Sequence, residues 1–200
     1  LQKASSEQQF VLHYQMQCDQ HGRVTGAEVL IRWQHPQRGL IPPNDFIPLA
    51  EESDLILPIG YWVLDTACTQ LALWAQQAET AELSLAVNVS AKQFGLPTFV
   101  EELKALLEQS GINPSLLKLE LTESLLLEST EETIAKMLTL KTLGVSFSMD
   151  DFGTGYSSLA YLKRLPLDQL KIDRSFVRDV LLDPNDAVIA KTIIVLGQSL

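Results

Sequence analysis

Short segments in which apolar and polar residues alternate are separated along this chain by longer segments whose apolar residues recur every third or fourth position. The first period is that of a strand and the second that of a helix. Strands are predicted over 24–32, 83–89, 116–122, 145–150 and 169–173, with an extra N-terminal strand over 10–17. Asn44 or Asp45 can cap a short helix over 46–52, and a helix over 59–77 carries Val63, Ala67, Leu71 and Trp74 on one side. Thr98 and Glu101 form a capping box ahead of Leu103, Leu106 and Leu107, with Gly111 as the stop. Ser129 and Glu132 repeat it ahead of Ile134 and Met137, with Gly144 at the end. A shorter helix is predicted over 157–164. The last runs from Ala187 to the end, with Val188, Thr192 and Val195 on one side and Ile189, Ile193 and Leu196 beside them.

Strands alternating with helices of this length read as βα units with a parallel sheet. No GxGxxG or GxxxxGK[ST] turn follows the first parallel strand, so the common nucleotide-binding α/β readings fall away. The parity of the strands then carries the argument. Val145, Phe147 and Met149 oppose Ser146, Ser148 and Asp150; Leu117, Leu119 and Leu121 oppose Lys118, Glu120 and Thr122. Leu83, Leu85, Val87 and Val89 oppose Ser84, Ala86 and Asn88, and Leu170 and Ile172 oppose Lys171 and Asp173. Glu28, Leu30 and Arg32 share one parity in the 24–32 segment.

A parallel barrel accounts for this division, because one face packs under helices and the other lines an interior whose C-terminal mouth holds the chemistry. Glu28, Asn88, Glu120, Asp150 and Lys171 are expected to converge there, with Asp151 one step beyond. Carboxylates and an amide oxygen are hard donors suited to Mg²⁺, Mn²⁺ or Ca²⁺. Left together without cations they would repel. Two ions about 3.5–4 Å apart would resolve this and stabilise both oxygens of an in-line displacement at phosphorus.

Composition narrows the partners. With 200 residues, 46% of them hydrophobic and 20% charged, the chain reads as one folded domain over 1–200. A net charge of -10 and a pI near 4.7 disfavour nucleic-acid polymers and anionic membranes, so a phosphate ligand needs a metal or a local Arg/Lys cluster. Cys18 and Cys68 have neither zinc nor disulfide spacing, and a reducing, cytoplasmic setting fits them. The apolar run from Leu55 to Leu64, broken by Pro58 and Gly60, is read as too short for a membrane span. The start, LQKASSEQQF, has no Met and no signal-peptide build, which suggests a fragment of a longer polypeptide whose other segments could anchor it in a membrane.

The local sequences at these strand ends form an ordered set: Glu28-Val29-Leu30, Arg32-Trp33 with His35-Pro36, Asn88-Val89-Ser90, Glu120-Leu121-Thr122-Glu123, Asp150-Asp151-Phe152-Gly153-Thr154-Gly155-Tyr156-Ser157-Ser158, and Lys171-Ile172-Asp173. The set resembles the EAL-domain family of cyclic di-GMP phosphodiesterases over nearly the whole chain. The resemblance implies a (β/α)8 TIM-like barrel with one antiparallel strand, two Mg²⁺ or Mn²⁺ ions, and hydrolysis of cyclic di-GMP to linear pGpG. It implies Glu28, Asn88, Glu120, Asp150 and Asp151 as metal ligands, with Asp150 bridging, and Lys171 orienting the attacking hydroxide. Arg32 would touch a substrate phosphate, with Gln15, Leu30, Pro36 and Asp173 around the nucleotide. The segment from Asp151 through Phe152, Gly153, Thr154 and Gly155 resembles the family's control loop, and Glu123 the residue that anchors it. A homodimer and upstream sensory or GGDEF-type domains are further implied.

Two departures stand out. Val29 replaces the signature Ala, but on the outward parity, where it affects packing more than ligation. The chain also ends at Leu200, before the family's last strands, so the barrel is expected to be incomplete at its C-terminus. Taken singly, these residues have plainer readings: an acidic surface turn for Asp150-Asp151, an ion-pair partner for Lys171, a structural turn for His35, incidental positions for His13 and His21, hinges for Gly153 and Gly155, and core or rim packing for Trp33, Trp62 and Trp74. Two other functions compete: a catalytically inactive cyclic di-GMP sensor or docking domain, and an enolase-type barrel using Lys171 as a base.

Overall fold

The computed structural model describes residues 1–122, 130–153 and 162–199. They fall into two compact units, Leu1–Lys118 and Leu119–Leu200.

The first unit opens with the short helix α1 (Gln2–Ser6), the antiparallel pair β1 (Phe10–Cys18) and β2 (Val24–His35), and a short β3 (Gly39–Ile41) returning antiparallel on β2. β3 has too few residues to show a period and was not predicted. After a 3-10 turn come α2 (Ile47–Glu52), α3 (Ile56–Trp74) and β4 (Ser84–Val89), which pairs parallel with β2. α4 (Ala91–Gly95) and α5 (Phe99–Ser110) lead to β5 (Leu117–Thr122), which runs across the unit boundary.

Alternation fixes which face of each strand carries the large apolar residues. Leu85, Val87 and Val89 of β4 and Ala27 and Val29 of β2 are buried, as is the Ala67, Cys68, Leu71 stripe of α3. α3 packs on β4, α4 and α5. It begins at Ile56, earlier than Ile59, because Pro58 falls in the first turn, where its missing N–H leaves no carbonyl unpaired. The apolar run is therefore one continuous helix of 19 residues, long and apolar enough by length and composition to cross a bilayer, with its core stripe buried inside this unit. Phe10, Trp33, Phe46 and Trp62 cluster, with Phe10 centred 5.7 Å from Phe46 and 6.0 Å from Trp62. Trp33 also donates its indole N–H to Gln9 Oε1 at 2.9 Å, so two of the tryptophans have the packing role expected of them.

Capping departs from the sequence pattern. Thr98 precedes α5, but its backbone is helical (φ -86, ψ -9) instead of extended, and its hydroxyl caps nothing. Asn44 and Asp45 sit within the 3-10 turn, and Phe46 takes the cap position of α2. The cap of α4 was not predicted: Ser90 Oγ accepts from Gln93 N at its start. α5 does stop at Gly111.

The second unit carries the rest of β5, α6 (Thr130–Thr142), β6 (Ser146–Phe152), β7 (Gln169–Ile172), α7 (Arg174–Arg178) and α8 (Pro184–Ser199). β6 and β7 pair in parallel, as the βα order requires. Met137 and Leu140 of α6 and Phe147 and Met149 of β6 are buried. Asp168 fixes the entry to this layer, accepting from Phe147 N at 2.8 Å and from the Lys141 ammonium. α8 starts at Pro184, earlier than expected, and only one of its two predicted apolar lines turns inward: Ile193 is buried with Ala190, while Val188 and Val195 remain exposed. The packing of α8 on β7 and α7 selects the Ile193 side. Residues 157–161 of the helix expected over 157–164 lie outside the described residues, as does Ser129 of the second capping box.

Candidate active site

In the first unit, β2 and β4 bring Glu28 beside Asn88, whose Nδ2 donates to Glu28 Oε1 at 2.9 Å. Glu28 stands in register with Ala86, so Asn88 lies one pleat further along the same face toward the C-terminal end of β4. The bond uses the amide nitrogen and leaves the amide oxygen, the atom a hard cation would take, uncommitted among the described residues. Gln15 of β1 stands directly opposite Glu28, and Leu30 and Arg32 continue along the Glu28 face of β2. Arg32 is half-buried and donates to the carbonyl of Ile31 at 2.9 Å. Pro36 lies in the exposed turn after β2, where His35 Nδ1 accepts from the backbone N–H of Gln37 and Arg38, the turn role expected for that histidine.

In the second unit, Glu120 of β5, Asp150 of β6 and Lys171 of β7 meet. The Lys171 ammonium donates to Glu120 Oε2 at 2.8 Å and to Asp150 Oδ2 at 2.9 Å. Glu120 is 1% exposed. A carboxylate so buried requires a compensating cation, and here one ammonium serves two carboxylates. Burial alone would depress the Lys171 pKa, but the hydrogen bonds and charges of Glu120 and then Asp150 outweigh it and hold the ammonium above its ordinary range.

Asp151 arrives by a device that strand parity does not contain. Met149 pairs with Leu170 and Phe152 with Ile172, so Asp150 and Asp151 together stand against Lys171 alone. This is a β-bulge, with Asp151 in the left-handed region at φ 53. Adjacent residues of a regular strand would diverge; the bulge lets both aspartates serve one end of β6. It also reverses the parity beyond it, which is why Phe152 is buried although it is two residues from Asp150. Asp150 Oδ1 accepts from Asp151 N at 3.0 Å.

Burial, then the charge of Asp150, then a hydrogen bond to Asp173 raise the pKa of Asp151 above the usual carboxylate value. Asp173 moves the other way, held down by Ser175, whose hydroxyl and backbone N–H both donate to its Oδ1. Asp173 thus caps α7, a structural duty added to the nucleotide contact expected of it. Gly153 closes β6 at φ +105, and a Cβ there would lie 3.0 Å from Phe176 and 3.2 Å from Ile193. Glu123, Thr154 and Gly155 lie outside the described residues. Ser148, one pleat below Asp150, is fully buried, and its hydroxyl has no hydrogen-bond partner among the described residues.

Each unit therefore offers hard oxygen donors suited to a divalent cation, Glu28 and Asn88 in the first and Glu120, Asp150 and Asp151 in the second. The family model of the EAL domain matches residues 1–200. The chain belongs to the EAL domain family. This EAL domain is 45% identical over 201 residues to the bifunctional diguanylate cyclase/cyclic di-GMP phosphodiesterase MucR of Pseudomonas aeruginosa, covering 100% of this chain and 29% of that protein. It is 42% identical over 200 residues to the cyclic di-GMP phosphodiesterase PdeR of Escherichia coli, covering 100% of this chain and 30% of that one. The solved PaMucR phosphodiesterase in complex with c-di-GMP superposes with a TM-score of 0.94 at 45% identity, over 99% of this chain and 80% of that one. The fold is accordingly the TIM-like α/β fold of EAL domains. The chain spans less than a third of the length of these curated relatives.

Proposed function

We propose that this EAL domain hydrolyses cyclic di-GMP to linear pGpG, with Glu28 and Asn88 joining Glu120, Asp150 and Asp151 around two Mg²⁺ or Mn²⁺ ions. The observation that carries the reading is the Lys171 bridge between Glu120 and Asp150. It places a permanent cation among carboxylates at strand ends, in a chain 45% identical to a bifunctional cyclase/phosphodiesterase.

The bound ions would supply Lewis acidity that makes water a competent nucleophile at neutral pH and shields the phosphate charge. Water adds to phosphorus, the P–O3′ bond breaks in line, and the departing 3′ oxygen takes a proton, giving a free 3′ hydroxyl and a 5′ phosphate. The Lys171 ammonium serves as a hydrogen-bond donor that orients the attacking oxygen and steadies developing charge. Its pairing with two carboxylates favours a donor role over the general base of an enolase-type reaction. Arg32 holds a non-bridging phosphate oxygen, and Gln15, Leu30, Pro36 and Asp173 border the nucleotide.

In this reading the domain works within a longer protein carrying sensory or GGDEF-type segments, as a homodimer in the cytoplasm, where the free thiols Cys18 and Cys68 stay reduced. Turnover in ¹⁸O-labelled water tests the reaction itself: one label should enter the 5′ phosphate of pGpG and none the 3′ hydroxyl. Binding of the nucleotide without any pGpG would replace the enzyme with a sensor.

A further inference from the structure

We infer that His13 contacts the guanine base of the cyclic dinucleotide; this rests on the reading of the site given above. The β1–β2 register sets His13 opposite Leu30, between the Gln15–Glu28 pair and the Val11–Arg32 pair. Directly opposed residues of an antiparallel pair share a face, with Cβ atoms about 4.5–5.5 Å apart. The helix side of β1 is identified by Tyr14, whose ring packs 5.9 Å from Trp74 of α3 and whose hydroxyl lies 3.4 Å from Gln70 Oε1. His13 and Gln15 therefore project from the opposite face, the one that carries Glu28, Leu30 and Arg32.

The order of strands says which part of the ligand passes there. Asn88, bonded to Glu28, lies on β4, on one flank of β2, whereas β1 lies on the other. A nucleotide whose phosphate is held near Glu28 and Arg32 can extend over Leu30 toward β1 and meet Gln15 and His13 with its base. Because β1 runs antiparallel to β2, His13 stands closer than Gln15 to the C-terminal end of β2, level with Leu30. The His13 side chain is exposed and makes no hydrogen bond or ion pair among the described residues. A neutral imidazole presents one donor and one acceptor, which complement the mixed edges of guanine, while Leu30 supports the ring face of the base.

The test compares wild type, His13→Leu and His13→Gln on cyclic di-GMP and on bis(p-nitrophenyl) phosphate, a phosphodiester with no base to read. His13→Leu should raise KM for cyclic di-GMP roughly 3- to 10-fold, the range for one lost hydrogen bond, with kcat little changed. Its effect on bis(p-nitrophenyl) phosphate should be smaller. His13→Gln, which keeps a donor and an acceptor, should recover most of the loss. An unchanged KM in His13→Leu, or an equal loss on both substrates, would overturn the assignment. Calorimetric binding of cyclic di-GMP in Ca²⁺ separates the two levels of the argument. A wild type that binds in Ca²⁺ yet forms no pGpG in Mg²⁺ or Mn²⁺ refutes the phosphodiesterase reading, while the difference in Kd between the variants still decides His13. A wild type that does not bind overturns both.

Discussion

The Lys171 ammonium stands 2.8 Å from Glu120 Oε2, and that carboxylate has almost no access to water. Breaking a buried pair by removing one partner strands the other charge and costs about 3–5 kcal/mol. Lys171→Met should therefore lower the unfolding free energy of the metal-free protein by about 3 kcal/mol, read by urea denaturation. It should also remove turnover, and Mn²⁺ should restore part of the stability by supplying the missing positive charge. Equal stability of variant and wild type without metal would show that Glu120 does not depend on this ammonium.

Asn88 presents its amide nitrogen to Glu28. Asn88→Asp replaces a donor with a second carboxylate, so without metal the two anions repel and the variant should melt below wild type. Added Mg²⁺ should narrow the gap. A melting difference that ignores Mg²⁺ would argue that the pair is structural only.

At Gly153 the backbone lies at φ +105, and a Cβ would press on Phe176 and Ile193. Gly153→Ala should destabilise by about 1–3 kcal/mol through backbone strain and overpacking. Unchanged thermal unfolding would contradict the close packing at the end of β6.

The two thiols differ. Cys18 is exposed and should react with a thiol reagent in the native protein, whereas Cys68, 1% exposed, should react only after unfolding. Burial, then the charge of Asp65, raises the Cys68 thiol from its ordinary 9.0 to about 11. Between those values the unfolded chain releases this proton and the folded chain keeps it, so this thiol's contribution to stability falls as pH rises. A Cys68→Ala variant should lose that part of the alkaline decline; an identical decline in the variant would assign it elsewhere.

Much of this was legible in the sequence because strand parity is a local property. The alternation through 145–150 and 116–122 placed Asp150 and Glu120 on one face without knowledge of any contact, and the chain does bring them to one lysine. What parity cannot carry is a change of count. The bulge opposite Lys171 depends on the pairing of β6 with β7, so neither the shared position of Asp150 and Asp151 nor the burial of Phe152 could be read from the period. Capping failed similarly at Thr98, where the hydroxyl was suitable but the backbone turned helical one residue early. Gly60 looked like a break in an apolar run. It is instead the point where α3 makes room for the buried side chain of Gln93, a contact between residues 33 apart in sequence that no window could show.

The central proposal is that Glu28 and Glu120 are both required for metal-dependent cleavage of cyclic di-GMP. It is tested most directly by following cyclic di-GMP turnover against Mn²⁺ concentration in the natural full-length protein, in wild type, Glu28→Ala and Glu120→Gln. Saturable formation of pGpG in wild type, lost in both variants and abolished by a chelator, is the predicted result. Turnover that survives either substitution, or that proceeds undiminished in the chelator, would contradict it.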